Sequence, residues 1–75
     1  DKIVDLSTIF PQLSPTELDV ARLILKNMTL KEIAVATEKS LSNVGTVRGN
    51  IRKKLGLSPG DDLRDFILAR IKDRS

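Results

Sequence analysis

The chain has 75 residues and a formal net charge of +3, with two Phe as its only aromatic residues and neither Cys nor His. A chain of this size forms one small domain that buries about 60% of the surface exposed by its unfolded form. Without Cys it has no disulfides or thiolate metal sites, and without His it lacks the commonest general base and metal ligand. We therefore expect a non-enzymatic domain that uses no metal and no cofactor.

The sequence contains no apolar run of membrane-spanning length and no evident signal peptide. We therefore expect a cytoplasmic protein with no membrane contact by this fragment. Because the chain begins at Asp1 rather than Met, we expect it to be a piece of a longer protein. Residues 1–13 are predicted to be an N-terminal arm, a short helix or the end of a linker. Pro11 stops any early helix there, and Phe10 and Leu13 would pack on the core.

Positive charge is concentrated in the middle of the sequence. Residues 39–60 contain five basic residues and no acid, whereas Asp residues gather near both ends. A basic segment between acidic ends is typical of a surface that faces a polyanion. The alternative is that Arg52, Lys53 and Lys54 only complement the negative end of a helix dipole.

Two capping boxes predict where the first two main helices begin. Ser14 and Glu17 start a helix over residues 15–26, which Asn27 ends by adopting a left-handed conformation. Thr29 and Glu32 start a second helix over residues 30–37. Both helices carry apolar residues at helical spacing, which would face the core: Leu18, Val20, Ala21, Leu23, Ile24, Leu25, Leu30, Ile33 and Ala34.

The third main helix is predicted over residues 41–55, with Ser40 as its N-cap and Gly56 as its left-handed C-cap. Its apolar face consists of Val44, Val47, Ile51 and Leu55. Two helices separated by a break of three or four residues form a helix-turn-helix, in which the second helix is the reader. The same pair of helices also occurs as plain bundle architecture.

A last helix is predicted over residues 61–72, because Asp61 and Asp62 favour the positive end of a helix dipole. Its inward face would contain Leu63, Phe66, Ile67 and Arg70. Leu68 and Ile71 lie to one side of that face. They either complete the core or contact a second copy of the chain.

These features together resemble the LuxR/GerE-type DNA-binding domain of bacterial transcription regulators. The resemblance covers Leu13–Leu68 without a gap, and it rests on a series of short matches: L-S-P-T-E at 13–17, T-L-K-E-I-A at 29–34, Ser40, Val44, Asn50, Ile51, R-K-K-L-G-L at 52–57 and Leu63. It implies an all-α, four-helix, winged-less helix-turn-helix domain. It also implies a homodimer through the last helix and, in the full-length protein, an upstream sensor domain or a receiver domain of a response regulator.

The resemblance and the helical wheel of the third main helix assign candidate site residues. The positions at which the family reads base edges match Gly45, Thr46 and Gly49, and the wheel adds two further residues. The predicted base-facing set is therefore Ser42, Gly45, Thr46, Gly49 and Asn50. The predicted phosphate contacts are Lys31, Arg48, Arg52, Lys53 and Lys54, with Arg48 near the buried edge of the helix.

Gly45 and Gly49 depart from the family pattern, which often has a long polar side chain at these positions. Each glycine inside a helix costs about 1 kcal/mol relative to alanine. Three explanations stay open: close backbone approach to the groove, specificity from DNA shape, or loss of strong DNA binding. We expect a sequence-specific DNA-binding domain of a transcription regulator. The alternative is a protein-interaction or dimerisation module that keeps the fold.

Overall fold

Five helices make up the part of the chain that the structure describes. The computed structural model describes residues 6–74, and within them there is no strand. The helices are α1 (Leu6–Ile9), α2 (Pro15–Leu25), α3 (Leu30–Thr37), α4 (Leu41–Leu55) and α5 (Leu63–Arg74). The predicted all-α fold class is confirmed. Residues 1–5 of the predicted arm and Ser75 lie outside the described residues.

The structure contains a short helix, α1, in addition to the four main helices predicted from the sequence. It contains only four residues and is followed by Pro11, which disfavours helical conformation in the residue before it. Leu6, Phe10 and Leu13 are all buried. This segment therefore contributes three apolar side chains to the core, as expected for Phe10 and Leu13.

Side-chain caps fix the beginnings of the three helices α2, α3 and α4. In α2 the Ser14 hydroxyl accepts from the Glu17 N–H at 3.3 Å, and Glu17 Oε1 accepts from the Ser14 N–H at 2.7 Å. Thr29 and Glu32 form the same reciprocal pair at the start of α3. At α4 the Ser40 hydroxyl accepts from the Asn43 N–H at 3.0 Å. All three predicted N-caps are confirmed.

Left-handed residues separate the helices. Asn27 has a φ of 64° after α2, and Gly56 has a φ of 70° after α4, as predicted. Between α3 and α4, Glu38 takes a φ of 57°, and the Lys39 N–H donates to the Ala34 carbonyl at 2.9 Å. This short turn makes α3 and α4 consecutive helices of a helix-turn-helix.

One face of α4 is buried in the hydrophobic core. Val44 and Ile51 are fully buried, and α4 packs on both α2 and α3. In α5, Leu63 and Ile67 are buried, but Arg70 is exposed, so its predicted inward position is wrong. The guanidinium carbon of Arg70 lies over the Phe66 ring, 5.2 Å from its centroid, in a cation–π contact.

The last helix also starts later than predicted, at Leu63 rather than at residue 61. Asp62 acts as its cap, because its Oδ1 accepts from the Asp65 N–H at 3.0 Å. The Asp61 carboxylate is used in the preceding loop, where it accepts from the Ser58 N–H at 2.9 Å.

Candidate nucleic-acid interface

The side of α4 opposite the core is open and built from small residues. Ser42, Gly45, Thr46 and Asn50 are exposed, and Gly49 is half-buried. All five predicted base-facing residues are therefore on the surface of one helix whose other side is fixed in the core. An α-helix with side chains is about 10–12 Å wide, which matches the width of the major groove of B-DNA.

The two glycines of α4 have no packing partner among residues 6–74. A Cβ added at Gly45 or Gly49 would meet no heavy atom within 4 Å, apart from adjacent residues and the backbone of α4. Alanine would therefore fit at both positions and would favour the helix by about 1 kcal/mol each. The packing of this chain does not explain why these positions are glycine.

Thr46 has one part of its hydrogen-bonding capacity already used. Its hydroxyl donates to the Ser42 carbonyl at 3.1 Å, within α4. A threonine bonded in this way keeps its hydroxyl lone pairs as acceptors and its methyl group as an apolar contact. Thr46 can therefore offer an acceptor and a methyl group to a ligand, but not a hydroxyl donor.

The five predicted phosphate contacts fall into two groups. Lys31, Arg48 and Lys53 are exposed, and within residues 6–74 they make no hydrogen bond or ion pair. Arg52 and Lys54 are both engaged with other parts of the protein. Of the five predicted contacts, the three that have no partner among residues 6–74 are thus on α3 and α4.

Arg52 fixes the loop that joins α4 to α5. Its Nη1 donates to the Asp61 carbonyl at 2.8 Å, and its Nη2 donates to the Ser58 carbonyl at 2.7 Å. Two bonds from a planar guanidinium hold an acceptor pair in a fixed orientation. In this structure, Arg52 bonds this loop with two of its donors.

Lys54 joins α4 to the beginning of α2. Its Nζ lies 2.8 Å from Glu17 Oε1, the same oxygen that accepts from the Ser14 N–H. The Glu17 side chain is 8% exposed and that of Lys54 is 42% exposed. The hydrogen bond from Lys54, followed by that from the Ser14 N–H, lowers the pKa of the Glu17 carboxyl below its usual value of 4.5.

Arg48 is exposed, and it lines a cleft of about 310 Å³ with Leu30, Asp62 and Arg64 beside the buried face of α4. The Arg64 Nε is buried and has no hydrogen-bond partner among the described residues. No sequence pattern singles out Arg64, because its position beside Arg48 depends on how α5 is placed. The structure thus brings a second guanidinium to the flank of α4.

A family model described as bacterial regulatory proteins, luxR family (GerE), matches residues 11–63, which is more than half of the chain. The chain belongs to the luxR family. Searches of curated proteins and of solved structures gave no significant match. The luxR-family domain is a DNA-binding helix-turn-helix domain of transcription regulators, and the family consists of regulators rather than enzymes. In this luxR-family chain, α3 and α4 are the two helices of that unit.

Two apolar residues of this luxR-family domain are exposed although no sequence pattern marks them. Val35 on α3 is 75% exposed, and Leu41 at the start of α4 is 53% exposed. Helical periodicity assigns inward positions, but it does not measure how far a flanking side chain is left uncovered.

The residues predicted for dimerisation differ in their surroundings. Ile71 is half-buried and packs against the hydrophobic core, and Leu68 is half-buried on the same helix.

Within residues 6–74, no group of acidic residues is placed to hold a metal ion. No helix in the described part of this luxR-family chain is long and apolar enough to cross a membrane.

Proposed function

We propose that α4 enters the major groove of double-stranded DNA and reads a specific sequence there. The observation that carries this proposal is the division of α4 into a fully buried side and an open side. Val44 and Ile51 anchor it in the core, while the two glycines have free space above them. A recognition helix needs both properties, because it must be rigidly held and closely approachable.

Phosphate contacts would come from the cations that the protein does not use itself. Lys53 lies on the open side of α4, Lys31 lies in the first turn of α3, and Arg48 lies on the flank of α4. The amides of Leu30 and Lys31, which the Thr29–Glu32 capping box leaves free, add to the Lys31 side chain, since helix N-termini attract phosphate. Arg52 fixes the loop after α4 and Lys54 joins α4 to α2, and their remaining N–H donors would make secondary phosphate contacts.

The test of this proposal is duplex binding as a function of salt. The logarithm of the binding constant is expected to fall steeply with the logarithm of the salt concentration. Replacing Lys53 by alanine should weaken binding and reduce that slope by about one, since each phosphate contact releases about one counterion. Fluorescence anisotropy with labelled duplexes at several salt concentrations measures both quantities.

The matched control is Lys72→Ala, which removes an exposed lysine near the end of α5, a helix that packs on α2. It should leave the salt slope unchanged. An unchanged slope in Lys53→Ala would contradict the proposed contact.

A folded chain that binds no duplex at low salt would instead favour the second candidate function, a protein-interaction module. The internal use of Arg52 and Lys54 is the observation that favours this candidate.

The last helix would join two copies of the domain on a two-part DNA site. Because Ile71 packs against the core, Ile71→Asp is expected to lower stability as well as dimerisation. Leu68→Asp should reduce dimerisation with a smaller loss in melting temperature. Sedimentation of the purified chain with thermal melting checks both, and equal melting losses for Leu68→Asp and the core variant Leu63→Asp would show that Leu68 is structural.

In the full-length protein, we propose that a sensor or receiver domain precedes this domain and controls its access to DNA. This arrangement is carried by membership of the luxR family of regulators.

A further inference from the structure

A large apolar residue flanks the start of the open side of α4. Leu41 is the first residue of the helix and is 53% exposed. A single exposed leucine is ordinary on a protein surface, so exposure alone indicates nothing. Its position is informative, because the N-terminal residues of a recognition helix are the ones that contact base edges.

Leu41 shares a row on the helix surface with the two glycines. Leu41, Gly45 and Gly49 follow one another at four-residue spacing, which places them along one side of α4. No side chain stands above either glycine, and no other part of the protein lies within 4 Å of the space that a Cβ would fill. The same spacing reaches Lys53 in the last turn of α4, so Leu41 is the member with a side chain at the N-terminal end of this row.

The first two turns of α4 contain few groups that read guanine. Residues 41–47 include no Lys, Arg, Gln, Asp or Glu, and the Thr46 hydroxyl hydrogen is donated to the Ser42 carbonyl. In the major groove guanine presents two acceptors, which Arg or Lys usually contacts, whereas thymine presents a C5-methyl group that makes apolar contacts. The chemistry of this helix end thus matches thymine.

We propose that Leu41 reads the C5-methyl group of a thymine in the major groove of the DNA site. This inference rests on the proposed function, because it requires α4 to lie in that groove. The glycines at 45 and 49 let the helix backbone come close to the bases. The Leu41 side chain then covers the methyl group and removes both apolar surfaces from water.

The experiment uses the 75-residue chain and a duplex selected for binding from a random-sequence pool. Each thymine of that duplex is replaced in turn by deoxyuridine, which lacks only the C5-methyl group. We expect one replacement per half-site to weaken binding about fourfold, the effect of burying one methyl-sized group. Any thymine read by another group, such as the Thr46 methyl, should keep its sensitivity in the Leu41→Ala variant.

The variant Leu41→Ala links this effect to the side chain. It should bind the parent duplex less tightly and should no longer distinguish thymine from deoxyuridine at the sensitive position. Val35→Ala is the matched control, because it removes an even more exposed apolar side chain from α3. It should keep the full sensitivity. Thermal melting confirms that both variants are folded.

The inference is overturned if every thymine can be replaced without loss, or if Leu41→Ala stays as sensitive as the parent chain. The first of these outcomes needs no protein variant. If salt-dependent binding through Lys53 is observed without any deoxyuridine effect, only this inference fails. If the folded chain binds no duplex at all, the proposed function fails together with it.

Discussion

Replacing Lys54 by methionine is expected to lower the melting temperature by about 10 °C at neutral pH. The substitution leaves the Glu17 carboxylate, whose side chain is 8% exposed, without its cationic partner. Breaking a buried ion pair by removing one member costs about 3–5 kcal/mol. Since the Lys54 side chain is 42% exposed, we discount this to about 2 kcal/mol. For a domain of this size, 1 kcal/mol corresponds to about 4–8 °C.

The effect of Lys54→Met should depend on pH. The pKa of Glu17 is lower in the folded chain than in the unfolded chain, chiefly because of the Lys54 hydrogen bond. The pair therefore contributes its full stability above the usual glutamate pKa of 4.5 and loses it as the pH falls through the lower folded value. The difference in unfolding free energy between the parent chain and Lys54→Met should therefore shrink as the pH falls below 4.5. Urea titrations at pH 7 and pH 3 measure it.

Two variants control this experiment. Lys53→Met changes the neighbouring lysine, which has no ion pair within residues 6–74, and should have little effect on stability. The double variant Glu17→Gln with Lys54→Met removes both charges and should recover much of the loss, because no unpaired buried charge remains. If Lys54→Met were as stable as the parent chain at pH 7, the pair would be energetically unimportant.

The double variant Gly45→Ala, Gly49→Ala should melt at a temperature about 10 °C higher and yet bind DNA more weakly. Both positions lie within α4 and accept a Cβ without any contact inside 4 Å. Each alanine should stabilise the helix by about 1 kcal/mol. The two methyl groups would, however, stand between the helix backbone and the base edges. Thermal melting and duplex binding measure these opposite effects on one protein.

The single variant Gly49→Ala should show the same two effects at about half the size. Gly60→Ala is a suitable control, because Gly60 lies in the turn before α5 and also has open space for a Cβ. It should leave DNA binding unchanged. Unchanged or tighter DNA binding by the double variant would rule out close approach and would leave DNA shape as the source of specificity.

Features that depend on neighbours in the sequence could be predicted. The capping residues Ser14, Thr29 and Ser40 act on amides three residues away, so a short sequence window contains the whole interaction. The buried residues Val44 and Ile51 follow from helical periodicity, since they repeat on one side of α4. The all-α class follows from several such windows in succession.

Features that depend on the packing of distant elements could not be predicted. Glu17 and Lys54 are 37 residues apart, and they meet only because α2 packs on α4. Arg52 bonds carbonyls of a loop whose path is set by the start of α5. The sequence therefore predicted a basic helix end, but it could not tell which cations are used inside the protein. The DNA-contact assignments themselves stay predictions.

The open side of α4 has a consequence for altering specificity. Within the described part of the chain, Gly45 and Gly49 have no tertiary partner, and the Thr46 hydroxyl bonds within its own helix. Changing these residues and Ser42 should therefore leave the hydrophobic core and the helix caps intact. A combinatorial library randomised at these four positions should consist mostly of folded proteins. The domain is thus suited to retargeting, in which new operators are obtained by selection while the scaffold is kept.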